Sequence, residues 1–289
     1  MENAILIAGP TASGKSAMAL DLAERHDGVV VNADSMQVYS VLDLLTARPG
    51  PAELARAPHE LYGHVHPSRA YSTGAWLRDV ERLFRSGVWS GKTPIFVGGT
   101  GLYFRALAEG LSEMPDIPPE IRGRWRHELA EGGPERLHSL LSERDSEAAR
   151  MIRPSDGQRI VRALEVLEAS GRSIVTWQAH RGKPLVNRAT ARFLQIHPRR
   201  DELVRRIDAR FDRMIEAGVL EEVRALAALK LDPALPAMKA IGFRELQAAL
   251  EGRMDMAEAI ERAKIATRQY AKRQTTWFRH QLGSEWKQV

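Results

Sequence analysis

Eight residues near the N-terminus, Gly9-Pro10-Thr11-Ala12-Ser13-Gly14-Lys15-Ser16, carry the spacing G-x-x-x-x-G-K-[ST]. Glycines at those places let the backbone wrap a diphosphate, so that N–H groups and a helix N-terminus point at its oxygens. Lys15 adds a point charge, and the Ser16 hydroxyl can ligate Mg²⁺. The run follows the apolar stretch Ala4-Ile5-Leu6-Ile7-Ala8 and opens a helical pattern through Ala17, Leu20 and Ala23. That strand-loop-helix context is what the mechanism requires, and it favours phosphate binding over a plain glycine turn.

Two further segments end apolar runs in the same way. Val29-Val30-Val31 leads to Asn32-Ala33-Asp34-Ser35-Met36-Gln37-Val38-Tyr39, and Ile95-Phe96-Val97 leads to Gly98-Gly99-Thr100-Gly101-Leu102-Tyr103. In open α/β sheets the carboxyl ends of strands line the ligand crevice. Asp34 could serve there as a magnesium ligand or a general base, or Asp34 or Ser35 could cap a helix. Thr100 would put a hydroxyl into the same crevice, unless the glycines only make a tight turn.

Two helices carry polar stripes. In Gln158-Arg159-Ile160-Val161-Arg162-Ala163-Leu164-Glu165, helical spacing puts Gln158, Arg162 and Glu165 opposite Ile160, Leu164 and Leu167. Near the C-terminus, six basic residues and no acidic one fall between Arg262 and Arg279. Lys264, Arg268, Lys272 and Arg279 share one stripe that could track a phosphate backbone, with Ala266, Tyr270 and Trp277 facing a core. The nine histidines make no metal-binding spacing, and His64-Val65-His66 reads as strand alternation or surface.

The elements that must position these groups are those of an α/β protein. Three short β-branched runs, with a fourth at Phe193-Leu194-Gln195-Ile196, alternate with helical patterns, as in a parallel sheet buried on both faces. Between the third and fourth runs lies the proline-rich Met114-Pro115-Asp116-Ile117-Pro118-Pro119, a linker or hinge, followed by helical patterns over 120–131, 134–151 and 156–171. This reads as a core of 1–111 with 186–289 and an all-helical insertion of 112–185; a last long helix is expected over 257–280.

Composition bounds the rest. The chain has 289 residues and a formal charge of +5, and no cysteine, which excludes disulfides, thiolate metal sites and a cysteine nucleophile. Residues 1–111 hold 10 basic and 11 acidic side chains, whereas residues 112–289 hold 32 and 26. The excess in the later part hints at an anionic partner. No membrane span and no basic secretory leader is recognisable, so a cytoplasmic protein is expected.

Taken in order, G-P-T-A-S-G-K-S, D-S-M-Q-V-Y, G-G-T-G-L-Y, Q-R-I-V-R-A-L-E, K-A-I-G-F-R-E (from Lys239) and T-R-Q-Y-A-K-R-Q (from Thr267) resemble the tRNA dimethylallyltransferase (tRNA isopentenyltransferase) family over nearly the whole chain. The resemblance implies a P-loop NTPase-like, nucleotide-kinase-like parallel sheet flanked by helices. It implies transfer of a dimethylallyl group from dimethylallyl diphosphate to N6 of the adenosine 3′ of the anticodon in tRNA, with Mg²⁺. Asp34 matches the family's catalytic aspartate, Thr100 the threonine at the target nucleotide, and Arg210 an arginine on the pyrophosphate, with Arg205 and Arg206 close by. By the same matching Asp34, Ser35, Met36, Gln37, Thr100, Arg122, Gln158, Arg159, Ile160, Val161 and Arg162 would contact tRNA. The basic stripe adds Arg268 and Lys272.

The chain departs from the family at Ser40-Val41-Leu42-Asp43-Leu44-Leu45-Thr46-Ala47-Arg48-Pro49, where relatives read close to R-G-M-D-I-G-T-A-K-P. It stops soon after Trp286 without the zinc finger of eukaryotic relatives, which favours a bacterial-type enzyme, expected as a monomer. The rival readings are a P-loop nucleotide kinase, whose insertion would act as a phosphate-clamping lid, and an RNA-binding ATPase or assembly factor.

Overall fold

A computed structural model describes the whole chain, residues 1–289. It forms two compact units, residues 1–108 with 184–289, and residues 109–183. In chain order the first unit begins with β1 (Ile5–Ala8), α1 (Lys15–Arg25), β2 (Gly28–Asn32), α2 (Pro51–Leu54), β3 (His59–Glu60), α3 (Thr73–Arg85), β4 (Thr93–Gly98) and α4 (Gly101–Glu109). The second unit holds α5 (Pro119–Arg144), α6 (Ser146–Met151), α7 (Gly157–Ser170) and α8 (Ile174–Ala179). The first unit then resumes with β5 (Arg192–Gln195), α9 (Arg200–Glu216), α10 (Val219–Ala228), a 3₁₀ turn (Pro236–Lys239), α11 (Phe243–Leu250), α12 (Met256–Gln281) and β6 (Lys287–Gln288).

All six strands are parallel, in the order β3-β2-β4-β1-β5-β6. The four apolar runs are the four longer strands. They are short and β-branched because both faces are covered. Successive side chains of a strand point to opposite faces. Leu6, Ala8, Val31 and Phe96 accordingly pack with Trp76, Tyr103, Phe104 and Phe278. Ile5, Ile7, Val30, Ile95 and Val97 pack with Ala19, Leu20 and Ala23 of α1. Ala17, read as part of that helical face, is exposed, and Ala19 takes its place.

In the insertion, the segments read as 120–131 and 134–151 are divided differently. The first continues through a kink at Gly133 (φ 72°, ψ 170°) into α5, and the break falls at Asp145. The Asp145 carboxylate accepts from Ala148 N–H (3.0 Å) and so caps α6. Trp125, Leu137, Leu141, Ile160 and Leu164 form this unit's own core. Where its two ends meet, Gly182 N–H donates to Leu111 O (3.0 Å), and a Cβ on Gly110 would lie 1.9 Å from Gly182 O.

The last helix departs from its sequence reading. Its buried line is Ala263, Thr267, Ala271, Gln274 and Phe278. Tyr270 and Trp277, read as core, are only half-buried. Small residues let α12 pack closely on neighbouring helices: Ala259 and Ala263 join the cluster with Phe243 and Leu246 of α11, and Ala271 packs with Leu203 and Ile207 of α9. Val65, read with its two histidines as strand alternation, makes an isolated parallel bridge with Tyr39.

Candidate active site

Three segments meet at the carboxyl ends of three neighbouring strands. The phosphate loop leaves β1, the Asp34 segment leaves β2, and the Gly98–Thr100 segment leaves β4, the strand between them. Gly9 N–H donates to Gly98 O (3.3 Å), and Ala33 N–H donates to Val97 O (2.8 Å), so the segments stay in register beyond the strands. Gly98 must be glycine, because a Cβ there would lie 2.0 Å from Ala33 O.

The phosphate loop has the geometry that its spacing predicts. Ala12 and Gly14 take positive φ (62° and 93°), and Gly14 leads into α1 without any side-chain cap. The first-turn N–H groups of a helix have no acceptor within it, so here they are free for an anion. Lys15 Nζ folds back on Pro10 O (3.2 Å). From α9, Arg206 donates to Ser13 O (3.1 Å) and Arg210 to Thr11 Oγ1 (2.5 Å). Arg205 instead faces Asp201 at 3.6 Å. Of the three arginines left open by the sequence, two therefore reach the loop.

Asp34 starts no helix, which removes the capping alternative for both Asp34 and Ser35. The chain makes a turn there. Asn32, fully buried, accepts from Asp34 N–H through Oδ1 (2.8 Å) and donates through Nδ2 to Asp34 O and Leu61 O (both 3.0 Å). Asp34 Oδ1 accepts from Met36 N–H (2.9 Å). Thr100 Oγ1 accepts from Ser35 N–H (2.9 Å) and donates to Ser35 Oγ (3.2 Å). Two strand ends thus hold the carboxylate and the threonine hydroxyl in one frame.

Charge converges on the same place. Burial pushes the Lys15 ammonium down to about 8, the Asp34 carboxylate pulls it back up, and Arg210 adds to the depression. Burial likewise lowers Arg210 to about 10, again opposed by Asp34, with Arg213 adding to the depression. Tyr62, Tyr103 and Tyr270 are raised mainly by burial and next by Asp34. The Asp34 carboxylate is thus felt by two buried cations and three phenols, and an anion bound beside Lys15 and Arg210 would favour their charged forms.

The family model described as IPP transferase matches residues 37–281, and a second, isopentenyl transferase, matches residues 2–62. The chain belongs to the IPP transferase family. It is similar to proteins named tRNA dimethylallyltransferase from Mesorhizobium japonicum (71% identical, covering 100% of this chain and 90% of the relative) and Chelativorans sp. (61%, covering 100% and 99%). Among solved structures, it resembles a eukaryotic dimethylallyltransferase acting on tRNA (TM-score 0.81, 29% identity, covering 96% of this chain and 70% of that one). The full-length tRNA isopentenylpyrophosphate transferase of Bacillus halodurans superposes with TM-score 0.69 at 31% identity, covering 100% and 90%.

For this IPP transferase the structure corrects several expected contacts. Ile160 and Val161 are buried in the insertion's core and cannot offer side chains to tRNA. Glu165, read on the polar stripe, is 5% exposed and lies 3.6 Å from Arg162. Arg122, Gln158 and Arg159 are exposed, with Arg159 at 3.3 Å from Asp156.

The C-terminal stripe is not uncompensated: Arg268 pairs with Asp208 (2.6 Å) and Glu261 (2.7 Å), and Lys264 with Asp212 (2.5 Å). Two of those acids come from α9, which helical spacing along α12 cannot show. Lys272, Arg273 and Arg279 are exposed and have no carboxylate within salt-bridge distance.

Two residues that sequence reasoning missed organise the loops. Gln274 reaches both the phosphate loop and Gly99. Glu222 of α10 accepts from three successive N–H groups, those of Asp43 (2.9 Å), Leu44 (2.6 Å) and Leu45 (3.0 Å). Gln37 donates to Thr46 O (3.0 Å) and Ala47 O (2.8 Å), so its amide is occupied in holding the divergent segment. The only sequence signal for Gln274 is its place inside T-R-Q-Y-A-K-R-Q; Glu222 has none.

Proposed function

We propose that the protein transfers a dimethylallyl group from dimethylallyl diphosphate to N6 of the adenosine 3′ of the anticodon in tRNA, giving N6-dimethylallyladenosine and pyrophosphate. The observation that carries this is the convergence of the phosphate loop, Asp34 and Thr100 at three adjacent strand ends. Adenine N6 is a poor nucleophile, and an allylic diphosphate needs its leaving group stabilised. Lys15, Arg210 and the open N–H groups of α1 answer the second need by meeting charge as it develops on the departing oxygen. Asp34 answers the first. With Oδ1 held by Met36 N–H, Oδ2 is left to take the N6 proton as the N6–carbon bond forms and the carbon–oxygen bond breaks.

Thr100 and the Asp34–Gln37 turn would receive the adenosine, which must leave the loop stack to reach them. Exposed Arg122, Gln158 and Arg159 on the insertion, and Lys272 on α12, are the tRNA contacts we retain from the sequence, with Arg273 added. A single chain supplies every group named, which suits a monomer working in the cytoplasm, where tRNA is.

Mg²⁺ fits the residues present. No group of three or more His, Asp or Glu could hold a metal by protein side chains alone. The exposed Ser16 hydroxyl is a suitable donor, and Mg²⁺ characteristically keeps several waters and completes its shell with substrate phosphates. When bound, it would add positive charge on the leaving diphosphate.

The test is to incubate the protein with total tRNA and either labelled dimethylallyl diphosphate or labelled ATP. Label should pass from the allylic diphosphate to tRNA. Robust ATP hydrolysis without tRNA, and no prenyl transfer, would overturn the reading in favour of an ATPase.

A further inference from the structure

Gln274 sits on the buried face of α12, 5% exposed, and uses both ends of its amide across the active site. Its Oε1 accepts from Thr11 N–H (2.9 Å) in the phosphate loop, and its Nε2 donates to Gly99 O (2.9 Å), one residue before Thr100. The amide can face only this way, since Thr11 offers a donor and Gly99 an acceptor. The contact is close enough to dictate a neighbour: a Cβ on Gly99 would lie 2.0 Å from Gln274 Nε2. One turn further along, Trp277 presses on Gly101, where a Cβ would lie 2.1 Å from the indole ring. Thr11 is thereby held from two sides, its backbone by Gln274 and its hydroxyl by Arg210. Thr100 in turn holds Ser35 beside Asp34.

We infer that Gln274 is a positioning residue for the transfer, fixing the diphosphate loop against the loop that receives the adenosine. It rests on the transferase reading above. A side chain that ties the leaving-group side to the nucleophile side sets the distance over which the allylic carbon must travel. Misplacement of reacting groups by about 1 Å can cost about 100-fold in rate. Both ends of its amide are taken up by backbone groups of the two loops, so its loss should act on the chemical step more than on either affinity.

The test uses Q274E and Q274M in the full-length chain. A carboxylate at 274 would still accept from Thr11 N–H but would repel Gly99 O; protonated, the same acid can accept with one oxygen and donate with the other. Single-turnover transfer at saturating tRNA and dimethylallyl diphosphate should therefore fall about 10–100-fold in Q274E at pH 8. Relative to wild type, Q274E should recover as the pH is lowered towards 5.5, while Q274M stays slow at every pH. Both dissociation constants should stay within about threefold, because the Gln274 amide is spent on Thr11 N–H and Gly99 O rather than offered to a ligand. A role confined to stability would lower the melting temperature and leave the saturated rate and its pH profile parallel to wild type, which would overturn the inference. If Q274E fails to fold, a Q274M rate equal to wild type overturns it, and one slower than wild type by the same factor at every pH supports it. Wild-type protein that transfers no dimethylallyl group defeats the underlying reading as well, so the two failures are told apart by the wild-type control.

Discussion

Two loops of the sheet unit present runs of backbone N–H groups, and the chain treats them oppositely. After β2, the N–H groups of Asp43, Leu44 and Leu45 all point at the Glu222 carboxylate. After β1, Gly14 leads into α1 with no side-chain cap, and the flanking side chains are Lys15, Arg206 and Arg210. Successive N–H groups make an anion site in either case. One is filled by the protein's own carboxylate; the other, flanked by cations, is the loop that meets the diphosphate in the transfer reaction proposed above. The first loop also holds Val41 and Ala47 at positive φ (75° and 53°), a strain that non-glycine residues keep only when their surroundings enforce it. Glu222, Gln37 and the Arg48 donation to Tyr39 O (3.0 Å) supply that enforcement.

The sharpest way to break this contrast is Lys15→Ala. It should weaken diphosphate binding and nearly abolish transfer while leaving the melting temperature close to wild type, as read by calorimetry beside a transfer assay. An open anion site that tolerates this change would not be a diphosphate site.

Asp34→Asn comes next. It retains the shape and the Met36 contact but cannot take a proton, so single-turnover transfer should drop by about 10²–10⁴-fold. Affinities for tRNA and the diphosphate should move much less. A stable mutant that binds both and transfers at the wild-type rate would leave the mechanism without a base.

Glu222→Ala probes the filled site. Removing the acceptor strands three N–H groups in a half-buried position, at a cost of about 2 kcal/mol in denaturant unfolding. Its effect on transfer should be smaller than that of Asp34→Asn and should arise through Gln37 and the turn. A neutral result would show that water replaces the carboxylate freely.

The open site should also show a pH signature. Lys15 is held down at about 8 by burial in the free protein, against an ordinary value of 10.5. The folded state therefore binds fewer protons than the unfolded chain between those values, and unliganded stability from this group rises with pH across that window. A bound diphosphate reverses the sign locally by favouring the ammonium, so binding takes up a proton above about pH 8. Affinity should then fall by up to about tenfold per pH unit from there, measured by calorimetric titration, and Lys15→Arg should flatten the slope.

The smallest expected effect is Val41→Gly. Relief of the positive φ offsets the extra backbone entropy of glycine and the lost packing of Val41 against the core, so stability should change by less than about 1 kcal/mol in denaturant unfolding. Transfer should be unchanged.

Much of the fold could be read from the chain. Each of the four apolar runs became a strand because a parallel strand covered on both faces must be apolar throughout. The two-residue strands β3 and β6 carry no such run, and neighbouring strands alone define them. On α7 the polar stripe was misdrawn because Glu165 turns inward against Arg162. On α12 charge counting failed because the compensating acids, Asp208 and Asp212, belong to another helix.

The phosphate loop was determined by sequence alone, since its glycines, lysine and serine act through a contiguous backbone turn and the first turn of the helix that follows. The same holds for Asp34, whose pairing with Asn32 spans two residues. Everything that joins these segments was decided by tertiary structure. Arg206 and Arg210 reach the loop across 193 and 199 residues, and Gln274 bridges it to Gly99 across 263 and 175. Contacts of that kind leave no local period in the chain, even where a residue stands inside a motif as Gln274 does, because the partners are made neighbours only when the helices settle against the carboxyl ends of the sheet.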